Sequence, residues 1–241
     1  CIGTAYGSEL SFSTLSVFLP TITTNTVSGI RAKVAFSGGN VTNDGNSIVT
    51  ARGICWDTIP NPTIGSSNYT VNSSGNGIFT GFMPNLADST VYFVRAYATN
   101  YSGTAYGQQE TFTTLKLHLP TLTTDSIDNI RVSSATSGGT VISEGNDSIT
   151  VSGICWDVNP NPTLDDSYTS IVNEHGNFFF LISELEEGVT YYVRAYATNN
   201  AGTGYGDQQV FTTPTLSCPS APTLTDIDGN VYKTVQIGTQ C

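Results

Sequence analysis

Ten residues, Val91-Tyr92-Phe93-Val94-Arg95-Ala96-Tyr97-Ala98-Thr99-Asn100, return almost unchanged as Thr190-Tyr191-Tyr192-Val193-Arg194-Ala195-Tyr196-Ala197-Thr198-Asn199. In the first copy Tyr92, Val94, Ala96 and Ala98 fall on one side, and Phe93, Arg95 and Tyr97 on the other. A period of two belongs to a strand with one face against a core; a helix would need a period near 3.6. Each copy runs on through a Gly-bearing turn to a second strand, ending in Phe112-Thr113-Thr114 or Phe211-Thr212-Thr213. A third copy of that ending, Gly3-Thr4-Ala5-Tyr6-Gly7 through Phe12-Ser13-Thr14, opens the sequence. The chain is a repeat array, and its repeats are made of strands.

The first full repeat spans 19–114, opening at Leu19-Pro20-Thr21, and the second spans 119–213, opening at Leu119-Pro120-Thr121. Within a repeat, Arg31 to Phe36 (Arg131 to Thr136) reads as a second strand stopped by Ser37-Gly38-Gly39 (Ser137-Gly138-Gly139). Asn43-Asp44-Gly45-Asn46 and Glu144-Gly145-Asn146-Asp147 are turn clusters suited to positive φ. Ile48 to Trp56 and Ile149 to Trp156 form a third strand, whose small side, with Cys55, is assigned to the interior. Pro60-Asn61-Pro62 and its twin at Pro160 make a rigid loop, because two prolines fix φ and bar a central strand. Gly77 to Phe82 and Asn177 to Ile182 follow, then a corner, then the repeated ten-residue strand. About seven strands per repeat with regular turns and no helical period predict an all-β chain of tandem seven-stranded antiparallel β-sandwiches arranged as a rod. Residues 1–15 then read as the final strand of a preceding or partner-completed sandwich, and 218–241 as the start of a C-terminal β domain.

At 241 residues there is room for two such sandwiches of roughly 100 residues each. Eight Lys and Arg against 19 Asp and Glu give a net charge of −11. Such a surface repels phosphate backbones, so nucleic acid is not expected as a partner. No apolar run approaches the ~20 residues of a spanning helix, so direct membrane insertion is not expected.

The five cysteines separate by context. Cys55 and Cys155 hold equivalent places in successive repeats, too far apart for a disulfide's ~6 Å Cα spacing, and read as buried free thiols. Cys218 and Cys241 bracket a short segment and are expected to pair in an oxidising compartment, with unpaired thiols as the alternative. Cys1 is left over.

Leu86, Tyr92, Val94, Ala96 and Asn100, repeated as Leu185, Tyr191, Val193, Ala195 and Asn199, resemble the corner and following strand of fibronectin type III domains. That resemblance implies a corner tyrosine packed inward with its hydroxyl bonded to nearby backbone. Trp56 and Trp156 lie in the third strand and not in an early one, so an immunoglobulin-like variant stays open. Ala51-Arg52-Gly53-Ile54-Cys55-Trp56, Asn61-Pro62-Thr63 and the Gly-Thr-Ala/Gly-Tyr-Gly turns resemble tandem repeats in large secreted surface proteins of Bacteroidota. The tail from Thr225 to Cys241 resembles the opening of the Fibrobacter succinogenes major paralogous domain. Both resemblances imply an extracellular or outer cell-surface location. The first also implies O-glycosylation at Asp-Ser/Thr motifs, which here are Thr58, Ser89, Ser126 and Ser148.

Candidate sites are few. Asp226, Asp228 and Asn230 look like half a calcium loop, but Asp228-Gly229 between Ile227 and Val231 is a hairpin-turn signal, and no distal carboxylate follows. The two histidines, His118 and His175, do not recur between repeats, and no nucleophile, paired carboxylates or cofactor motif accompanies them, so an enzyme is not expected. Phe93, Arg95 and Tyr97, with Tyr192, Arg194 and Tyr196, present an arginine between aromatics on an outward face. This pattern reads as a sheet-stiffening ladder or as a glycan platform. The sequence thus predicts a structural repeat of an extracellular filament or adhesin stalk, meeting its own copies or neighbouring repeats end to end, with polymerisation by β-strand addition. A carbohydrate-binding module of a polysaccharide-degrading protein, with polysaccharide as partner, is the alternative.

Overall fold

A computed structural model describes residues 2–172, 176–215 and 223–234. The chain divides into two compact units, Cys1–Lys116 and Leu117–Cys241. The fold is all-β, with no helix among the described residues.

Unit 1 contains β1 (Thr21–Thr24), β2 (Ala35–Asn43), β3 (Ala51–Asp57), β4 (Asn68–Tyr69), β5 (Gly77–Met83), β6 (Val91–Asn100), β7 (Gly103–Tyr106) and β8 (Glu110–Thr113). One antiparallel sheet has the order β1-β2-β5, the other β4-β3-β6-β7. β7 pairs with Tyr97–Asn100 of β6, and β8 with Val91–Val94, so the two act as one seventh strand broken around Gly107. The short β4 joins β3 and not β5, which departs from the ABED/CFG order of constant-type immunoglobulin domains.

Unit 2 repeats this plan with β9 (Thr121–Thr124), β10 (Ser134–Ser143), β11 (Val151–Asp157), β12 (Ser167–Tyr168), β13 (Ile171–Val172), β14 (Asn177–Ser183), β15 (Thr190–Asn199), β16 (Gly202–Tyr205) and β17 (Gln209–Thr212). Its sheets run β9-β10-β14 and β12-β11-β15-β16, with β13 on β11 and β17 on β15. A separate hairpin pairs β18 (Thr223–Thr225) with β19 (Val231–Lys233).

The alternation of the repeated ten residues sets the core. Tyr92, Val94, Ala96 and Ala98 are all buried in the unit 1 cluster, facing Ile22, Val41 and Phe79 of the opposite sheet. Tyr191, Val193, Ala195 and Ala197 do the same against Leu122 and Phe178. The small alanines let the sheets approach, and the glycines of β2 and β10 share that role.

This corrects one expectation. Ser37-Gly38-Gly39 does not stop the second strand; β2 runs through it to Asn43. A Cβ on Gly38 would lie 2.1 Å from the Phe79 carbonyl oxygen, and one on Gly39 would lie 2.6 Å from Ala96 Cβ. Gly138 and Gly139 meet Phe178 and Ala195 in the same way, at 2.1 and 2.5 Å. Glycine here marks a close backbone approach in a central strand, not a turn.

The face assigned to the third strand is also reversed. Ile54 and Trp56 enter the core cluster, whereas Cys55, fully buried, faces the other way beneath the Pro60-Asn61-Pro62 loop, its thiol donating to the Pro62 carbonyl at 3.3 Å. Burial under a loop, not between sheets, is what favoured a small residue there. Both Cys55 and Cys155 are free.

Two further features frame each sandwich. Asn100 Nδ2 donates to the carbonyls of Phe18 and Asp44, both at 2.7 Å, tying the incoming chain to the first turn cluster. Asn199 binds His118 and Glu144 likewise, both at 2.8 Å. Residues 2–15 form no strand, and Phe12 is 88% exposed although its counterpart Phe112 is 6% exposed.

Candidate functional site

The outward face of the β4-β3-β6-β7 sheet carries the residues that read as a glycan platform. Its geometry follows from the loop between β3 and β4. That loop folds over the sheet, pinned where Asn61 N–H donates to Gln109 Oε1 at 2.6 Å and Ile64 N–H donates to Tyr106 Oη at 3.3 Å. Tyr97, covered by β4 and the residue after it, is 1% exposed; its hydroxyl donates to the Thr70 carbonyl at 2.7 Å and its ring meets Tyr69 edge-on at 6.4 Å. Tyr196 is equally buried and donates to the Thr169 carbonyl at 2.8 Å. Burial pushes both phenols up to about 12.

Arg95 does not stack on its strand neighbours. Its guanidinium lies 4.8 Å from the centre of the Tyr106 ring, across on β7, and its Nε donates to the Gly107 carbonyl at 3.0 Å. Arg194 repeats this over Tyr205 at 4.6 Å, with Nε on Gly206. Phe93 and Tyr192 are half-buried. The face is therefore a lock between the loop and the seventh strand, and Tyr97 and Tyr196 offer no ring face for a sugar to stack on.

The corner residues sit as a structural brace. Tyr92, with Leu86 buried beside it, accepts from Ala87 N–H at 3.0 Å and stacks on Phe112 with ring centres 5.8 Å apart. Tyr191, beside Leu185, accepts from Glu186 N–H at 3.0 Å and stacks on Phe211. Thr114 completes the brace, donating to the Ala87 carbonyl at 2.6 Å and accepting from Thr90 N–H at 2.9 Å. Thr213 takes the same place in unit 2. The repeated Thr-Thr ending was its sequence signal.

In the C-terminal hairpin, Asp226 organises the turn. Its Oδ1 accepts from the N–H groups of Asp228 (3.0 Å) and Asn230 (2.8 Å), and its Oδ2 from Asn230 Nδ2 (2.9 Å) and Tyr232 Oη (3.0 Å). The hydrogen bond from the Asn230 side chain, with the others, holds this carboxyl below its usual range. A carboxylate with both oxygens engaged by turn donors is a turn anchor. No group of three or more possible metal ligands occurs among the described residues. Thr58, Ser89, Ser126 and Ser148 are all exposed. Cys1, His175, Cys218 and Cys241 lie outside the described residues.

Unit 2 also carries a concave feature. A depression of about 290 Å³ is lined by Asp125, Ser126, Asp128, Asn129, Thr136 and Phe179, together with Ser137 and Gly138.

No family model matches the sequence, and no curated protein matches it. The Bacteroidota and Fibrobacter resemblances therefore rest on their motifs alone. Among solved structures, the chain is similar to the FN1–FN3 domains of chicken CNTN1, with 14% identity and a TM-score of 0.36, covering 81% of this chain and 68% of that one. A second, titled "Myokine structure", gives 18% identity and a TM-score of 0.31, covering 42% of this chain and all of that one. At these scores the strand order above, not the likeness, carries the description of the fold.

Proposed function

We propose that this chain is a structural repeat segment of an extracellular stalk or filament. The observation that supports it is the contrast between residues 3–14 and their copies. Tyr106 holds Arg95, and Phe112 packs on Tyr92; Tyr6 and Phe12, the matching residues, are 91% and 88% exposed. A segment that keeps every packing residue of a seventh strand is made to complete a sandwich. Units 1 and 2 each have their own seventh strand, so the segment belongs to a further sandwich in series. Head-to-tail polymerisation is the finer form of this proposal: residues 3–14 of one copy would exchange for β7–β8 of the next, a heterologous contact that does not close.

An extracellular or outer-surface location, with glycans on the exposed Thr58, Ser89, Ser126 or Ser148, belongs to the same reading. So does the absence of catalysis, since the one cluster of polar and aromatic residues on the β6 face is spent on holding a loop. Projections on intact cells test it. Removing residues 19–213 shortens the projection while its end remains displayed; unchanged length sinks the proposal.

A further inference from the structure

The two repeats act as controls for each other, and among their differences is one patch on the outer face of the three-stranded sheet. In unit 1, Phe36 fills it: the ring lies against Gly29, where a Cβ would come within 2.9 Å of Phe36 Cδ2, and pairs with Phe82 at 5.0 Å between ring centres. In unit 2, Thr136 stands for Phe36, and Asn129 for Gly29. Removing the ring leaves the 290 Å³ depression. An aromatic reappears at the rim, where Phe179 replaces Thr80 and is 85% exposed. Asp125 and Asp128 replace Asn25 and Ser28. These five changes turn a filled patch into an open one.

The groups around the opening are poised for hydroxyls. Asn129 Nδ2 is committed to Thr136 Oγ1 at 3.1 Å, which in turn donates to the Asp128 carbonyl at 3.0 Å. That chain fixes Asn129 with its amide oxygen turned to accept. The side chains of Asp125, Ser126 and Asp128 make no hydrogen bond among the described residues. The depression thus offers two carboxylates and an amide oxygen as acceptors, one hydroxyl that both donates and accepts, and a bare phenyl face beside them.

We infer that unit 2 binds a neutral saccharide here, one pyranose ring laying its C–H face on Phe179 while its hydroxyls donate to Asp125, Asp128 and Asn129. Phe179's ring carries negative charge on its face, which attracts the polarised C–H groups of a sugar. A few convergent polar groups around an apolar surface fix orientation. The carboxylates exclude uronic and sulfated sugars. An extended peptide strand fits less well, because the depression is local and shallow. The site is independent of the stalk reading and of the β6 face.

The test uses the full chain made without glycosylation, since Ser126 lines the site. It is titrated against soluble neutral polysaccharides (laminarin, xylan, mannan and dextran) and against poly-lysine. The inference expects at least one neutral polysaccharide to bind, its affinity nearly unchanged between 50 and 500 mM salt. Phe179→Ala and the double variant Asp125→Asn, Asp128→Asn each weaken binding at least tenfold. Asn129→Gly with Thr136→Phe, which puts the ring of unit 1 back into the depression, abolishes it. Phe179 is exposed, so its variant keeps the wild-type melting temperature as a folding check. Binding by none of the four polysaccharides, binding unchanged by Phe179→Ala, or salt-sensitive binding to poly-lysine alone each overturns it.

Discussion

Gly38→Ala tests the sheet geometry at its tightest point. A Cβ there would sit 2.1 Å from the Phe79 carbonyl oxygen and 3.1 Å from Thr80 Cα, both backbone atoms of the neighbouring strand. Ordinary contacts need about 3.5 Å, so β2 and β5 must separate by about 1 Å or more. No rotamer change relieves this, because nothing in the clash is a side chain. Overpacking of a core costs about 1–3 kcal/mol, and each ladder hydrogen bond weakened by the separation costs about 0.5–1.5 kcal/mol more. A loss of about 3 kcal/mol or more from unit 1 is expected, equivalent to a fall of roughly 12–24 °C in its melting temperature. Gly65→Ala is the matched control: no atom lies within 4 Å of its added Cβ, so stability should hold or rise by about 0.4–1 kcal/mol. Because a two-unit chain need not melt in one step, hydrogen exchange with peptide resolution is the assay. Gly38→Ala should expose β2, β5 and β6 while unit 2, with Gly138 intact, keeps its protection. Unit 1 protection within about 1 kcal/mol of wild type would refute the claim that β2 runs through Gly38-Gly39 against β5.

Other consequences follow from the same contacts. Tyr97→Phe should cost unit 1 about 1 kcal/mol by leaving the Thr70 carbonyl short of a donor, with the loss read by urea titration. Arg95→Lys should cost a similar amount, since an ammonium cannot reproduce both the stacking on Tyr106 and the Nε bond to Gly107. Burial, only partly offset by Arg95 and by Arg194, raises the Cys55 and Cys155 thiols to about 11 from 9.0, so native protein at pH 8 should leave both unmodified by a thiol reagent until denatured. The raised values favour the neutral form in the folded state. Their stabilisation is complete below pH 9 and lost as pH rises toward 11, with Tyr97 and Tyr196 extending the loss toward 12; a pH–urea series that stays flat above pH 9 contradicts this.

The inward side of β6 was legible because four alternating positions, Tyr92 to Ala98, admit only one buried face. The outward side was not. Phe93, Arg95 and Tyr97 alternate as a solvent-facing row would, but Tyr69 of β4 and the Thr70 backbone, distant in sequence, lie against Tyr97, and the Pro60-Asn61-Pro62 loop lies over Cys55 beside it. The loop's anchors, Asn61 to Gln109 and Ile64 to Tyr106, are non-local and leave no periodic trace. Gly38-Gly39 misled for a related reason: two glycines suit a turn or a close strand approach equally, and only Phe79 and Ala96 across the core decide. Cys55 followed, since its small size fits either face. The depression at Phe179 was hidden because it arises from differences between repeats, at Thr136, Asn129 and Phe179, that carry no periodic pattern of their own.

The most direct test of the central claim is hydrogen exchange on residues 3–14, in material recovered intact from its native source and in the isolated 241-residue chain. A segment that completes a sandwich in series should be protected in the native material to the level of residues 103–114, and unprotected in the isolated chain. Rapid exchange of residues 3–14 in both preparations would contradict the account.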